Sequence, residues 1–202
     1  MFARLQKVAV FLLALVPGGW VAWRAFHDGL GVNPVEDLEL TTGIWAYRFL
    51  LISLAITPIR RLTGWNRVIA FRRMLGLFAF FYAAAHLLIY VILDQGLALG
   101  FILEDVAKRR FITAGMVAFL LLVPLAVTST KGWIRRLGKR WQTLHRLVYV
   151  AAIAAALHFI WKVKVAIGEP VYYAAILAIL LAVRLVWRRR AAAVPRRQPA
   201  QA

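Results

Sequence analysis

Apolar residues fall into six long runs, separated by short polar segments. The runs cover about Val8–Trp23, Gly43–Ile59, Met74–Leu93, Phe111–Val127, Thr143–Val163 and Val171–Trp187. Several are nearer about 17 residues than about 20, which is short but within the range for a membrane-spanning helix. The pattern therefore predicts an all-α, polytopic membrane helix bundle with six transmembrane helices. Residues 1–187 form one domain, and residues 188–202 form a basic tail with two prolines and no apolar face, expected to be disordered. Arg4 and Lys7 precede the first run much as in a signal peptide. Pro17, Trp20 and Trp23 stand at its far end instead of small residues, which predicts a retained helix.

The polar segments alternate in charge. Arg60 to Arg73 holds five arginines and no acid, Lys131 to Arg146 holds six basic residues and no acid, and Arg188, Arg189, Arg190, Arg196 and Arg197 follow the last run. The other segments carry Asp28, Glu36, Asp37, Glu39, Asp94, Glu104, Asp105 and Glu169, all eight acids of the chain. Basic loops stay in the cytoplasm, so both termini are predicted to be cytoplasmic, and six is the span count that fits.

Composition supports a lipid environment. Apolar residues make up 63% of the chain and the mean hydropathy is +0.74, against about 45–50% apolar for a soluble domain. A net charge of +18 in a soluble protein would suggest nucleic-acid binding. Here the basic residues sit between apolar runs, so topology and anionic lipid explain them and no nucleic-acid partner is expected. There are no cysteines, which excludes disulfides, thiolate-held clusters and covalent haem attachment. Phosphate-binding glycine loops, H-E-x-x-H and acids deep in a span are also missing from the sequence.

Three of the four histidines fall in predicted spans: His86 in the third, His145 and His158 in the fifth. An imidazole inside a bilayer needs a partner. One alone is readily explained as a bridge between helices, but two at matching depth on different helices call for another explanation. At 1.5 Å per residue His86 lies about 18 Å along its helix and His158 about 22 Å along, both toward the acidic face. Two inward imidazoles on facing helices suit the axial positions of a six-coordinate b-type haem. Alanines flank both histidines; these would admit a flat ring or simply let helices pack closely.

His145 lies about 20 Å below His158, near the basic face. Its counterpart on the third helix is Arg73, which does not ligate iron, so a second haem would need a different axial ligand. Alternatively His145 and its neighbouring arginines bind a quinone headgroup or a flavin phosphate. His27, beside Asp28, reads as an ordinary exposed histidine. Arg48 enters the second span from the acidic side. It either snorkels to the interface or pairs with a haem propionate. Arg184 reads as snorkelling alone.

The stretches GVNPVEDLELTTGIWAYRFLLISLAITPIRRL, RRMLGLFAFFYAAAHLLIYVILD and LAVTSTKGWIRRLGKRWQTLHRLVYVAAIAAALHFIWKVK closely resemble the MsrQ (YedZ) family. These are haem-binding membrane subunits of the bacterial periplasmic methionine-sulfoxide reductase system, within the wider ferric-reductase-like transmembrane group. The resemblance covers nearly the whole chain. It implies an inner-membrane electron-transfer subunit, not itself the catalytic subunit, that takes electrons from the quinone pool through haem b to an MsrP-like periplasmic molybdopterin reductase. It implies haem association for His86, His145 and His158, and it adds FMN, for which the chain shows no motif. Arg73 departs from the wider group, where that helix carries a second histidine. The competing readings are another haem-dependent oxidoreductase of the ferric-reductase type, and a transporter or scaffold whose histidines only bridge helices.

Overall fold

The computed structural model describes residues 2–27, 29–163 and 168–193. All regular structure among them is helical: α1 (Phe2–Phe26), α2 (Pro34–Thr63), α3 (Ile69–Ile89), α4 (Leu99–Lys108), α5 (Arg110–Val127), α6 (Lys131–Leu137), α7 (Lys139–Leu144), α8 (Leu147–Lys162) and α9 (Glu169–Ala193). Six helical stretches among the described residues are long and apolar enough to cross a membrane, the fifth formed by α7 and α8 together.

The spans outrun the apolar runs because helices continue through polar first and last turns. In α2 the Asn33 side chain accepts from the Glu36 N–H, Pro34 opens the helix, and Gly64 closes it at φ 70° with its N–H on the Arg60 carbonyl. These are start and stop signals of known strength, and they stretch α2 to 30 residues. A 3₁₀ turn (Asn66–Val68) leads into α3, and a π-helical turn (Tyr90–Asp94) follows it. The segment between the third and fourth runs, read as a loop, contains α4. The fifth run is not one regular helix: a turn at His145–Arg146 separates α7 from α8. The last helix continues through Arg188, Arg189 and Arg190 to Ala193, so the start of the expected tail is helical; 194–202 lie outside the described residues.

Two hairpins form the centre. α2 packs along α3 and α5 along α8, and the pairs meet through α3–α5 and α2–α8 contacts. The buried cluster takes Phe49, Leu54, Phe78, Ala79 and Tyr82 from the first hairpin, and Leu122, Ala151 and Ala152 from the second. α1 and α9 flank this core, and they turn Leu12, Leu13, Ile179 and Leu185 outward. An apolar exterior over a packed interior is what lipid as solvent permits.

Side chains from neighbouring helices enter the helix ladders near two prolines inside spans. Near Pro17, the Tyr82 hydroxyl enters the α1 ladder. It accepts from Gly18 N–H at 2.8 Å and donates to the Ala14 carbonyl at 2.8 Å. In α2, Pro58 has no N–H to give the Leu54 carbonyl, four residues earlier. Arg184 of α9 donates to that carbonyl. An unmatched backbone carbonyl is costly in lipid, so Arg184 has a structural task beyond snorkelling.

Candidate functional site

His86 on α3 and His158 on α8 face one another across the hairpin junction, with ring centroids 5.9 Å apart and planes at 76°. Each Nδ1 is held by a backbone carbonyl of the partner helix in its own hairpin. His86 Nδ1 meets the Glu39 carbonyl at 2.9 Å, and His158 Nδ1 meets the Phe111 carbonyl at 2.7 Å. A carbonyl can only accept, so Nδ1 carries the proton in each ring and Nε2 keeps its lone pair. Metal-ligating histidines are characteristically prepared in this way.

Both rings are seated on a glycine. A Cβ on Gly43 would lie 3.1 Å from His86 Nδ1, and one on Gly115 would lie 2.7 Å from His158 Nδ1. The hairpins repeat the device: both hydrogen bonds join residues 47 apart in sequence, and each glycine stands four residues after the accepting carbonyl. Sequence reasoning missed Gly43 and Gly115. The equal spacing from each glycine to its histidine was the signal that could have found them.

The rings border a cavity with about 1320 Å³ of empty space, part of it open to the surroundings. Its wall includes the small residues Ala79, Ala83, Ala118 and Ala155. Charged residues gather at the acidic end, namely Glu39, Asp94, Arg109 and Lys162. Two lining atoms, Glu39 Oε1 and the Tyr47 hydroxyl, are buried without a hydrogen-bond partner among the described residues. Buried polar atoms are rarely left so, and a ligand in the cavity would answer them.

Arg48 does not line this cavity. Its Nε donates to the Tyr173 hydroxyl at 2.7 Å, and its guanidinium lies over the Trp45 ring at 4.8 Å. The cations at the cavity are Arg109 and Lys162, neither singled out by sequence; Lys162 stands one helical turn past His158. His145 is also elsewhere. The Thr128 hydroxyl donates to the Pro124 carbonyl at 2.6 Å and accepts from His145 Nε2 at 3.1 Å, while Trp141 stacks on the imidazole at 3.8 Å. His27 stacks on Trp23 at 4.7 Å and bonds the Trp23 carbonyl; Asp28 lies outside the described residues. No group of three or more His, Cys, Asp or Glu able to hold a metal ion occurs among the described residues.

Residues 42–156 match the ferric reductase like transmembrane component family. A protein of Xanthomonas euvesicatoria pv. vesicatoria is 54% identical over 173 residues, covering 86% of this chain and 79% of the relative. One of Rhodospirillum rubrum is 52% identical over 196 residues, covering 95% and 94%. One of Xanthomonas campestris pv. campestris is 54% identical over 192 residues, covering 92% and 88%. All three are named as the heme-binding subunit MsrQ of protein-methionine-sulfoxide reductase. No solved structure matches the chain.

Proposed function

The chain belongs to the MsrQ family, within the ferric-reductase-like transmembrane proteins, and from that premise we propose that it is a membrane cytochrome b subunit whose haem is held by His86 and His158. One observation carries the reading: two facing imidazoles, each with Nδ1 bound to a carbonyl, each leaving Nε2 free beside a shared cavity. With ring centroids 5.9 Å apart, His86 and His158 are the residues that would hold the haem iron between them. A site with two imidazoles, and no group of three His, Cys, Asp or Glu about it among the described residues, suits a macrocycle that brings four nitrogens of its own.

The chain's residues divide the work. The Glu39 and Phe111 carbonyls fix the tautomer and orientation of the ligating rings and raise their basicity. The alanines make room for a flat group, and Gly43 and Gly115 make room for the two imidazoles. Lys162, at the cavity rim, supplies positive charge for carboxylates at the edge of that group. Bound there, haem supplies one-electron transfer between ferric and ferrous iron. With the basic end in the cytoplasm, the cavity lies toward the periplasm of the bacterial inner membrane. As the family resemblance implies, the chain draws on the quinone pool and delivers to an MsrP-like periplasmic molybdopterin reductase that repairs oxidised methionines.

His86→Ala and His158→Ala are expected to insert normally and to lose the low-spin b-type bands of the reduced-minus-oxidised spectrum. A variant that lacks either imidazole and keeps the full low-spin spectrum overturns the assignment. Co-purification with a molybdopterin protein tests the partner separately.

A further inference from the structure

We propose that Asp105 is a positioning residue for the candidate haem site, holding Arg109 at the cavity rim as one half of a charge pair that sets how readily the site takes an electron. The inference rests on the haem reading above. On sequence alone Asp105 and Arg109 are an i,i+4 pair on a short surface helix, an arrangement that contributes little. Three observations set it apart.

The Asp105 side chain is only 14% exposed, although Arg109 is 56% exposed. Its two oxygens serve two different helices. Oδ1 meets Arg109 Nε at 3.0 Å, where α4 gives way to α5, and Oδ2 accepts from the Tyr90 hydroxyl at 3.1 Å. Tyr90 opens the π-helical turn that follows α3, one turn beyond His86. Such turns recur at functional sites. Tyr90 and Arg109 both line the cavity. Asp105 therefore ties the end of the His86 helix to a rim cation, and the Arg109 backbone N–H on the Asp105 carbonyl at 2.8 Å fixes the same corner.

The electrostatic consequence has a definite sign. Paired with Asp105, Arg109 is nearly neutral as seen from the cavity. Asp105→Asn leaves the guanidinium uncompensated and less fixed. An added positive charge near iron favours the reduced form, so the reduced fraction at a fixed applied potential rises. Arg109→Gln leaves the carboxylate alone, and the reduced fraction falls. The double variant cancels both changes.

The test is a spectroelectrochemical titration of the detergent-purified, haem-loaded chain, with haem counted per chain. At the wild-type midpoint, Asp105→Asn is expected to raise the reduced-to-oxidised ratio at least twofold, and Arg109→Gln to lower it at least twofold. The double variant and Asp105→Glu stay within twofold of wild type, with haem content unchanged throughout. Should Asp105→Asn fail to fold, Arg109→Gln and Asp105→Glu carry the test. Single variants that shift in the same direction, or by less than twofold with full haem, overturn the proposal while leaving His86 and His158 as ligands. A wild-type chain that binds no haem overturns both readings.

Discussion

Gly115→Ala places one methyl group where the structure has no room for it. In an ordinary helix interior the change is favourable by about 0.5–1 kcal/mol, since alanine restricts the unfolded chain. At Gly115 the new Cβ would stand 2.7 Å from His158 Nδ1 and 3.0 Å from its Cε1, so the imidazole must move. Movement strains the 2.7 Å bond to the Phe111 carbonyl. Leaving that buried pair unmatched costs about 1–3 kcal/mol, and overpacking costs about 1–3 kcal/mol more. The net penalty is a few kcal/mol, directed at a ring proposed as a haem ligand; loss of such support weakens metal binding about 10–100-fold. Gly43→Ala, at 3.1 Å from His86 Nδ1, asks for a shift of a few tenths of an ångström and is expected to be milder. Gly76→Ala is the control, because its nearest neighbour is Ser53 Oγ at an ordinary 3.4 Å. The assay is haem titration of the haem-free protein, read by the low-spin bands. The expected order of affinity is Gly76→Ala near wild type, then Gly43→Ala, then Gly115→Ala. A Gly115→Ala protein that binds haem within twofold of wild type refutes the glycine-seat argument.

Two further predictions concern the bundle. Arg184→Met removes the donor to the Leu54 carbonyl and should cost about 1–3 kcal/mol in a detergent unfolding titration. Adding Pro58→Ala restores a local N–H and should recover part of that loss; no recovery would mean Arg184 acts by some other contact. Tyr82→Phe deletes the hydroxyl between Ala14 and Gly18 and should lower stability by about 1 kcal/mol. An unchanged melting temperature would show that α1 closes its own ladder there.

The sequence carried the number of spans, their apolar centres and the two facing histidines, because lipid demands long apolar runs and penalises a buried imidazole without purpose. Span lengths were less legible, since Asn33, Pro34 and Gly64 extend α2 through polar residues that hydropathy discounts. The role of Arg184 depends on α9 lying against Leu54, a contact between distant parts of the chain that periodicity does not report. Arg48 illustrates the same limit. Its depth was readable, but its direction was set by Tyr173 on a helix 125 residues away. His145 was expected on one continuous helix with His158, and the turn at His145–Arg146 interrupts it. The glycine seats were open to reading, since both hairpins spell them at equal intervals, but a glycine in a span draws no notice until something is known to press against it.

The division of the site between two hairpins has a bearing on biogenesis. Ribosomes deliver α2 and α3 first, so His86 and its carbonyl are in the membrane while the fifth span is still unmade. A single imidazole on a lone hairpin gives a planar guest one face to hold. On the proposed reading the site would have both faces only once α8 brings His158 opposite. Cofactor capture by both rings would, on that reading, follow the insertion of α8. A shortage of haem would then accumulate inserted but unfilled chains instead of blocking translation, and the pool of such chains would be open to filling whenever supply returned.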